Sequence, residues 1–143
     1  MNETTFLNGK VRKISLPVFH QPPSDAAVGP KRLLLPQGEL ANFYDGQEGI
    51  RYIALVELRL GGIRGNHFHR VKEEHVYVFE GQAILIVQDG EQGPRVKVDL
   101  GPGDLATIAT GIAHALQPVR PGYAIEFSKA RFDPFDVERF RLV

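Results

Sequence analysis

Apolar residues along the chain come in short blocks, and glycine, proline, aspartate or asparagine closes nearly every block. Blocks of that length suit strands better than helices, and Val, Ile, Leu, Phe and Tyr dominate them. The pattern predicts strands near Lys10 to Leu16, Arg32 to Leu35, Arg51 to Leu60, His67 to His69, Glu74 to Phe79 and Ala83 to Gln88. Further strands follow near Arg95 to Leu100, Leu105 to Ile108, Ala113 to Val119 and Ala124 to Ser128. Two turns have a mechanism. Glycine in Glu80-Gly81 can take the positive φ of a tight hairpin, and Pro102-Gly103 suits the central positions of a type II turn. Antiparallel neighbours follow, and with them an all-β fold, a small antiparallel barrel or double-sheet jelly roll.

The segment 20–31, HQPPSDAAVGPK, has no periodicity and reads as a surface loop within an N-terminal arm, residues 1–31. A C-terminal tail, residues 129–143, mixes Phe with charge and is compatible with a short helix or a strand outside the barrel. At 143 residues and 43% hydrophobic content the chain is expected to form one domain with one core and one site.

Seventeen basic residues balance seventeen acidic ones, so no global field favours nucleic acid or an anionic membrane. No apolar run approaches the roughly 20 residues of a bilayer span, and the first residues lack a signal-peptide pattern, so a cytoplasmic location is expected. Cysteine is absent. Any metal must therefore be held by nitrogen and oxygen donors.

Three of the five histidines fall in GNHFHRVKEEHVYVFEG, residues 65–81. In a strand, residues two apart point to the same face, so the imidazoles of His67 and His69 can converge. A carboxylate on a neighbouring strand and the distant His114 could join them. Such a nitrogen and oxygen set suits a divalent ion such as Zn, Mn, Fe or Ni. Alternation does not decide between Glu73 and Glu74, because both faces of the strand that follows are apolar. The compact aliphatics Val76 and Val78 suit a narrow interior, which favours Glu74 inside; Tyr77 then lies outside with Phe79, Ile84 and Ile86. An outer face that apolar is covered either by a second copy, giving a homodimer, or by the chain's own strands.

The frame around the histidines is Gly61, five residues, His67, one, His69, four, Glu74, six, Gly81. It continues with Gly103, five residues, Ala109, one, Gly111, two, His114. This resembles the two motifs of the cupin superfamily, with Ala109 where the second motif has proline and Pro118 where it has asparagine. The resemblance covers residues 61–118. It implies a cupin barrel and maps the metal ligands onto His67, His69, Glu74 and His114, with Glu74 chosen by its six-residue spacing to Gly81. All four ligand types are present.

Arg64-Gly-Asn66-His67-x-His69 and the later Phe132-Asp133-Pro134 are similar to cupins of polysaccharide biosynthesis that act on nucleotide-sugars as epimerases or ketoisomerases. That likeness implies proton abstraction beside a carbonyl. Arg64, Tyr123 and Glu126 are the catalytic candidates, and Asn66, Arg51 and Arg59 the substrate-binding ones. Two other functions use the same features: an Fe- or Mn-dependent dioxygenase, and a cupin that binds a small molecule without turnover.

Overall fold

The computed structural model describes residues 2–22 and 28–143, with no helix among them. Twelve strands follow one another: β1 (Asn2–Phe6), β2 (Val11–Ser15), β3 (Val18–Phe19), β4 (Lys31–Leu35), β5 (Gly38–Asn42), β6 (Tyr52–Leu58), β7 (Arg64–Phe68), β8 (Glu74–Gln88), β9 (Arg95–Leu100), β10 (Asp104–Ile108), β11 (Ala113–Ser128) and β12 (Glu138–Arg139). Nine of them form an antiparallel system in the order β1-β2-β10-β8-β11-β7-β12, with β6 added to β11 and β9 to β8. β3, β4 and β5 make a separate small sheet.

β8 and β11 hold the fold together. The first part of β8 pairs with β10 and with the end of β11, while its last part pairs with β9 and the start of β11. Both strands thus serve two layers, and the layers enclose one apolar core. Val56, Leu58, Val76 and Val78 meet Leu85, Val87, Val98 and Leu100 there, each nearly free of solvent. This is the all-β jelly roll that the apolar blocks predict.

The expected hairpin at Glu80-Gly81 is absent. Gly81 has φ 89°, and a Cβ at that position would lie 2.7 Å from the carbonyl oxygens of Arg120 and Pro121. Glycine serves here for close approach of two bent strands, opposite register shifts between Pro118 and Ala124, rather than for a reversal. Two predicted pairs of strands are therefore single strands, β8 and β11. The Pro102-Gly103 turn is as expected: Asp104 N donates to Gly101 O at 3.0 Å, and Gly103 has φ 90°.

β1, β3, β5 and β12 escape the sequence pattern because they are short, mostly polar or exposed. Much of the expected N-terminal arm belongs to the large β-system instead, since β1 pairs with β2 and β2 with β10. The loop read over 20–31 falls partly on residues 23–27, outside the described residues. The tail is not helical. It turns at Asp133 and Asp136, then adds β12 to β7.

The chain itself covers the apolar outer face. Phe43 stacks on Tyr77 with ring centroids 4.6 Å apart, beside Leu16, Leu105 and Phe127, and Phe140 and Leu142 from the tail pack on Ile84 and Ile86. Tyr77 is left 1% exposed and Ile86 3%. Of the two covers expected for that face, the chain itself supplies the one over Tyr77, Ile84 and Ile86, while Phe79 stays 43% exposed.

Candidate functional site

β7 and the start of β11 bring the histidines together. His67 and His114 are cross-strand partners, and the register shifts immediately after them. Gly65 permits this: with φ 94°, it approaches β11 so closely that a Cβ would lie 2.6 Å from the His114 carbonyl oxygen. Asn66 also takes a left-handed conformation, φ 58°, which asparagine tolerates better than most residues. His69 follows at the end of β7, and Glu74 opens β8 with its side chain inward; Glu73 is outside, where it meets His75 Nε2 at 3.4 Å.

The three rings lie with centroids 4.7 to 5.5 Å apart, and one ligand atom from each falls within 4.8 Å of the others. They form a group that could bind a metal. Two of the rings are oriented from behind. His69 Nδ1 is 2.6 Å from the Asp136 carbonyl oxygen and His114 Nδ1 is 3.0 Å from that of Ile112, so each Nδ1 carries the proton it donates. The Nε2 atoms then face the cavity, and both are buried without a hydrogen-bond partner. Orphaned nitrogens of this kind fit a divalent cation. Burial, then the nearby His114 and His69 rings, push His67 down to about 4, so its imidazole is neutral at physiological pH.

Glu74 Oε2 lies 2.8 Å from His114 Nε2, in charge contact but off the direction of a hydrogen bond. Burial disfavours charge on both groups, and their contact outweighs it. His114 is pushed up and Glu74 held well below the carboxylate range. A proton and a metal ion compete for the same nitrogen. Glu74 is thus next to the histidine group rather than within the mutual radius that the three rings share.

Lys72 joins the site without being among the sequence candidates. It is 7% exposed, with Nζ 3.4 Å from Glu74 Oε1, 3.1 Å from Glu126 Oε1 and 4.4 Å from the centre of the Tyr52 ring. Burial opposes its charge, but the two carboxylates overcome this and favour the ammonium. Glu126 is pushed up to about 7 by burial and then by Glu74, with Lys72 acting in the other direction. The available signal is spacing, since Lys72 is two residues before Glu74 and shares its side of the chain. The groups open on a cavity of about 200 Å³ whose other walls include Tyr52, Val56, Leu85, Phe132 and Val137.

Of the remaining candidates, the structure brings Arg64 and Glu126 to this cavity. Asn66 instead clasps the tail: its Oδ1 accepts from Leu142 N at 2.9 Å and Val143 N at 3.1 Å. Tyr123 points outward and stacks on Phe79, Arg59 pairs with Glu57 at 3.0 Å in solvent, and Arg51 is exposed. These four do not line the cavity. The outward parity of Tyr123 and Arg51 follows from strand alternation, and the role of Asn66 from a contact with residues 76 and 77 positions away.

A jelly roll with its polar groups gathered inside one end is a β-barrel built around an internal ligand site. Residues 54–125 match the cupin domain family, half of the chain, and the chain belongs to that family. No curated protein sequence matches it. Among solved structures it is similar to an epimerase of Mycobacterium tuberculosis, at 15% identity and TM-score 0.72, covering 96% of this chain and 72% of that one. It is also similar to the dTDP-6-deoxy-D-glucose-3,5-epimerase of Legionella pneumophila, in complex with dTDP-4-keto-L-rhamnose: 14% identity, TM-score 0.71, 95% and 75% coverage. A TDP-quinovose 3,4-ketoisomerase of Campylobacter jejuni aligns at 15% identity and TM-score 0.68 over 77% and 88%. At these identities the likeness is one of fold.

Proposed function

We propose that the chain is an isomerase or epimerase that binds a sugar or nucleotide-sugar and moves a proton at the carbon beside its carbonyl. The observation that carries this is the buried Lys72 ammonium next to Glu126 in the cavity. Removing such a proton puts negative charge on the carbonyl oxygen, and a fixed cation in a water-poor site stabilises that charge. Another group must take the proton. Glu126 faces the same cavity and, pushed up to about 7, exchanges its proton near neutral pH. Tyr52 and Phe132, with ring centroids 6.4 Å apart, offer apolar surface at the entrance for one face of a sugar. The neighbours of like fold named above act on dTDP- or TDP-sugars, which supports that substrate class.

His67, His69 and His114, with Glu74 beside them, would hold a divalent ion, and such an ion supplies Lewis-acid polarisation of the carbonyl oxygen. Arg64 at the entrance suits the anionic part of a nucleotide-sugar. In deuterated water, with a panel of 4-keto nucleotide-sugars, the protein is expected to incorporate solvent deuterium beside the carbonyl. Glu126→Gln should slow that incorporation by about 10²- to 10⁴-fold. Absence of exchange with every member of the panel would overturn the proposal.

The close group of three imidazoles favours a second reading, an Fe- or Mn-dependent dioxygenase. Oxygen uptake by the Fe(II)-loaded protein, without deuterium incorporation, would select it.

A further inference from the structure

We propose that Tyr52 is a positioning residue whose ring face, rather than its hydroxyl, fixes where the Lys72 ammonium sits in the cavity. Lys72 comes from the turn of residues 70–72 on a long flexible stem, and its Nζ lies 3.1 Å from Glu126 Oε1 and 3.4 Å from Glu74 Oε1. Two carboxylates alone leave the ammonium free to slide toward either. The centre of the Tyr52 ring, 4.4 Å from Nζ, supplies a third contact, well inside the about 6 Å over which an aromatic face attracts a cation.

A ring suits this task better than another acid. Its face attracts the ammonium through the quadrupole and brings no net charge. A third carboxylate there would cancel the positive charge that a developing oxyanion needs. Lys72 is 7% exposed, so water competes little with the ring.

The backbone sets the ring in place. Tyr52 opens β6 opposite Ser128 of β11, and Arg51 N donates to Ser128 O at 2.9 Å. Glu126, two positions before Ser128, is the diagonal neighbour of Tyr52 on the same face. Ser128 Oγ donates to the Glu73 carbonyl at 2.8 Å and so ties the strand start that carries Glu74 to the same point. The ring and both carboxylates are thus referred to one residue, and the ammonium sits between parts that do not drift independently. Phe132 stacks beside the ring, with centroids 6.4 Å and planes 27° apart, and restricts its swing.

The catalytic side of this inference rests on the isomerase reading; the contact between ring and ammonium does not. The test replaces Tyr52, in the full chain, by leucine, by phenylalanine and by phenylalanines with increasing numbers of ring fluorines, which weaken the negative face and change size little. Solvent-deuterium exchange into a 4-keto nucleotide-sugar and the urea midpoint are read on each. Tyr52→Leu is expected to lower kcat for exchange about 10- to 30-fold, with KM changed less. Tyr52→Phe is expected to keep most of the rate that Tyr52→Leu loses, and each added fluorine to lower kcat and the urea midpoint in step. In the Lys72→Met/Glu126→Gln background, which removes the ammonium and one carboxylate together, the fluorine series should have no effect on the midpoint. A flat series with Lys72 present, a slope that persists in that background, or a loss in Tyr52→Phe as large as in Tyr52→Leu would overturn the positioning role. If the wild type exchanges no deuterium, the isomerase reading fails, and the urea series alone decides the contact.

Discussion

The carbonyl oxygen of Asp136 lies 2.6 Å from His69 Nδ1, across 67 positions of sequence. The carboxylate of the same residue accepts the backbone N–H groups of Arg70, Val71 and Lys72 at 2.8, 3.1 and 3.0 Å. One residue of the C-terminal segment thereby orients a histidine of the site and fixes the turn that delivers Lys72. Asp136→Ala keeps that carbonyl but removes the carboxylate that pins it against the turn of residues 70–72, and with the segment released nitrogen NMR at neutral pH is expected to show His69 losing its single Nδ1–H tautomer. Affinity for added Co(II) should fall about 10- to 100-fold while circular dichroism is retained. An unchanged tautomer together with full affinity would reduce the segment to a passive strap.

Lys72 pairs with both the buried Glu74 and the partly buried Glu126, which also act on each other, and its loss leaves the two carboxylates without their shared cation. Lys72→Met is expected to cost about 3–5 kcal/mol, read as a lower urea midpoint. Glu126→Gln in that background removes one of the uncompensated charges and should recover part of the loss. A double-mutant cycle is expected to give a coupling of at least about 1 kcal/mol, and simple additivity would contradict the described network.

Glu73 and Glu74 are adjacent but face opposite ways, which separates their roles. With the protein loaded in excess metal and desalted, Glu74→Gln is expected to retain less metal than wild type, and Glu73→Gln the same amount. The reverse order would show that the wrong carboxylate has been assigned to the site.

Arg32 bonds Glu39 through Nε and Nη2 at 2.7 and 3.0 Å, closing the β4–β5 hairpin. The bond with Arg32 outweighs burial and holds the Glu39 carboxyl below its ordinary 4.5. A group with a lowered folded pKa adds stability that is complete above the unfolded value and fades as pH falls through the folded one. The melting-temperature difference between wild type and Glu39→Gln should therefore persist at pH 7 and close as pH drops below about 4.5. A difference that widened on acidification would assign the sign incorrectly.

Most of the strands are legible in the sequence because periodicity is a local property, whereas the set His67, His69, Glu74 and His114 is legible only through the resemblance to the cupin motifs, since alternation leaves Glu73 and Glu74 open and His114 is distant. Gly81 misleads for a physical reason: glycine permits both a reversal and a close approach, and only the strand opposite, at Arg120 and Pro121, decides which. Asp136 and Asn66 give no local sign, since each acts through a contact with residues more than 60 positions away. Lys72 is readable in principle by its parity with Glu74, but a lysine next to charged neighbours looks like solvated surface until burial is known. Tyr52 and Phe132 resemble ordinary packing residues for the same reason.

β11 pairs with β6, β7 and β8; β8 already has β9 and β10 beside it, but among the described strands β6 and β7 have no neighbour until residues 113–128 have joined them. The order of synthesis then matters. A growing chain that has released β6, β7 and β8 but not β11 exposes long apolar strands with open edges, the species most prone to association before folding is complete. The contacts that rescue it span tens of residues, so closure is slow compared with local hairpins. The histidine group shares that timing, because His67 and His114 meet only when β11 docks, so the site is assembled in the same event that completes the barrel.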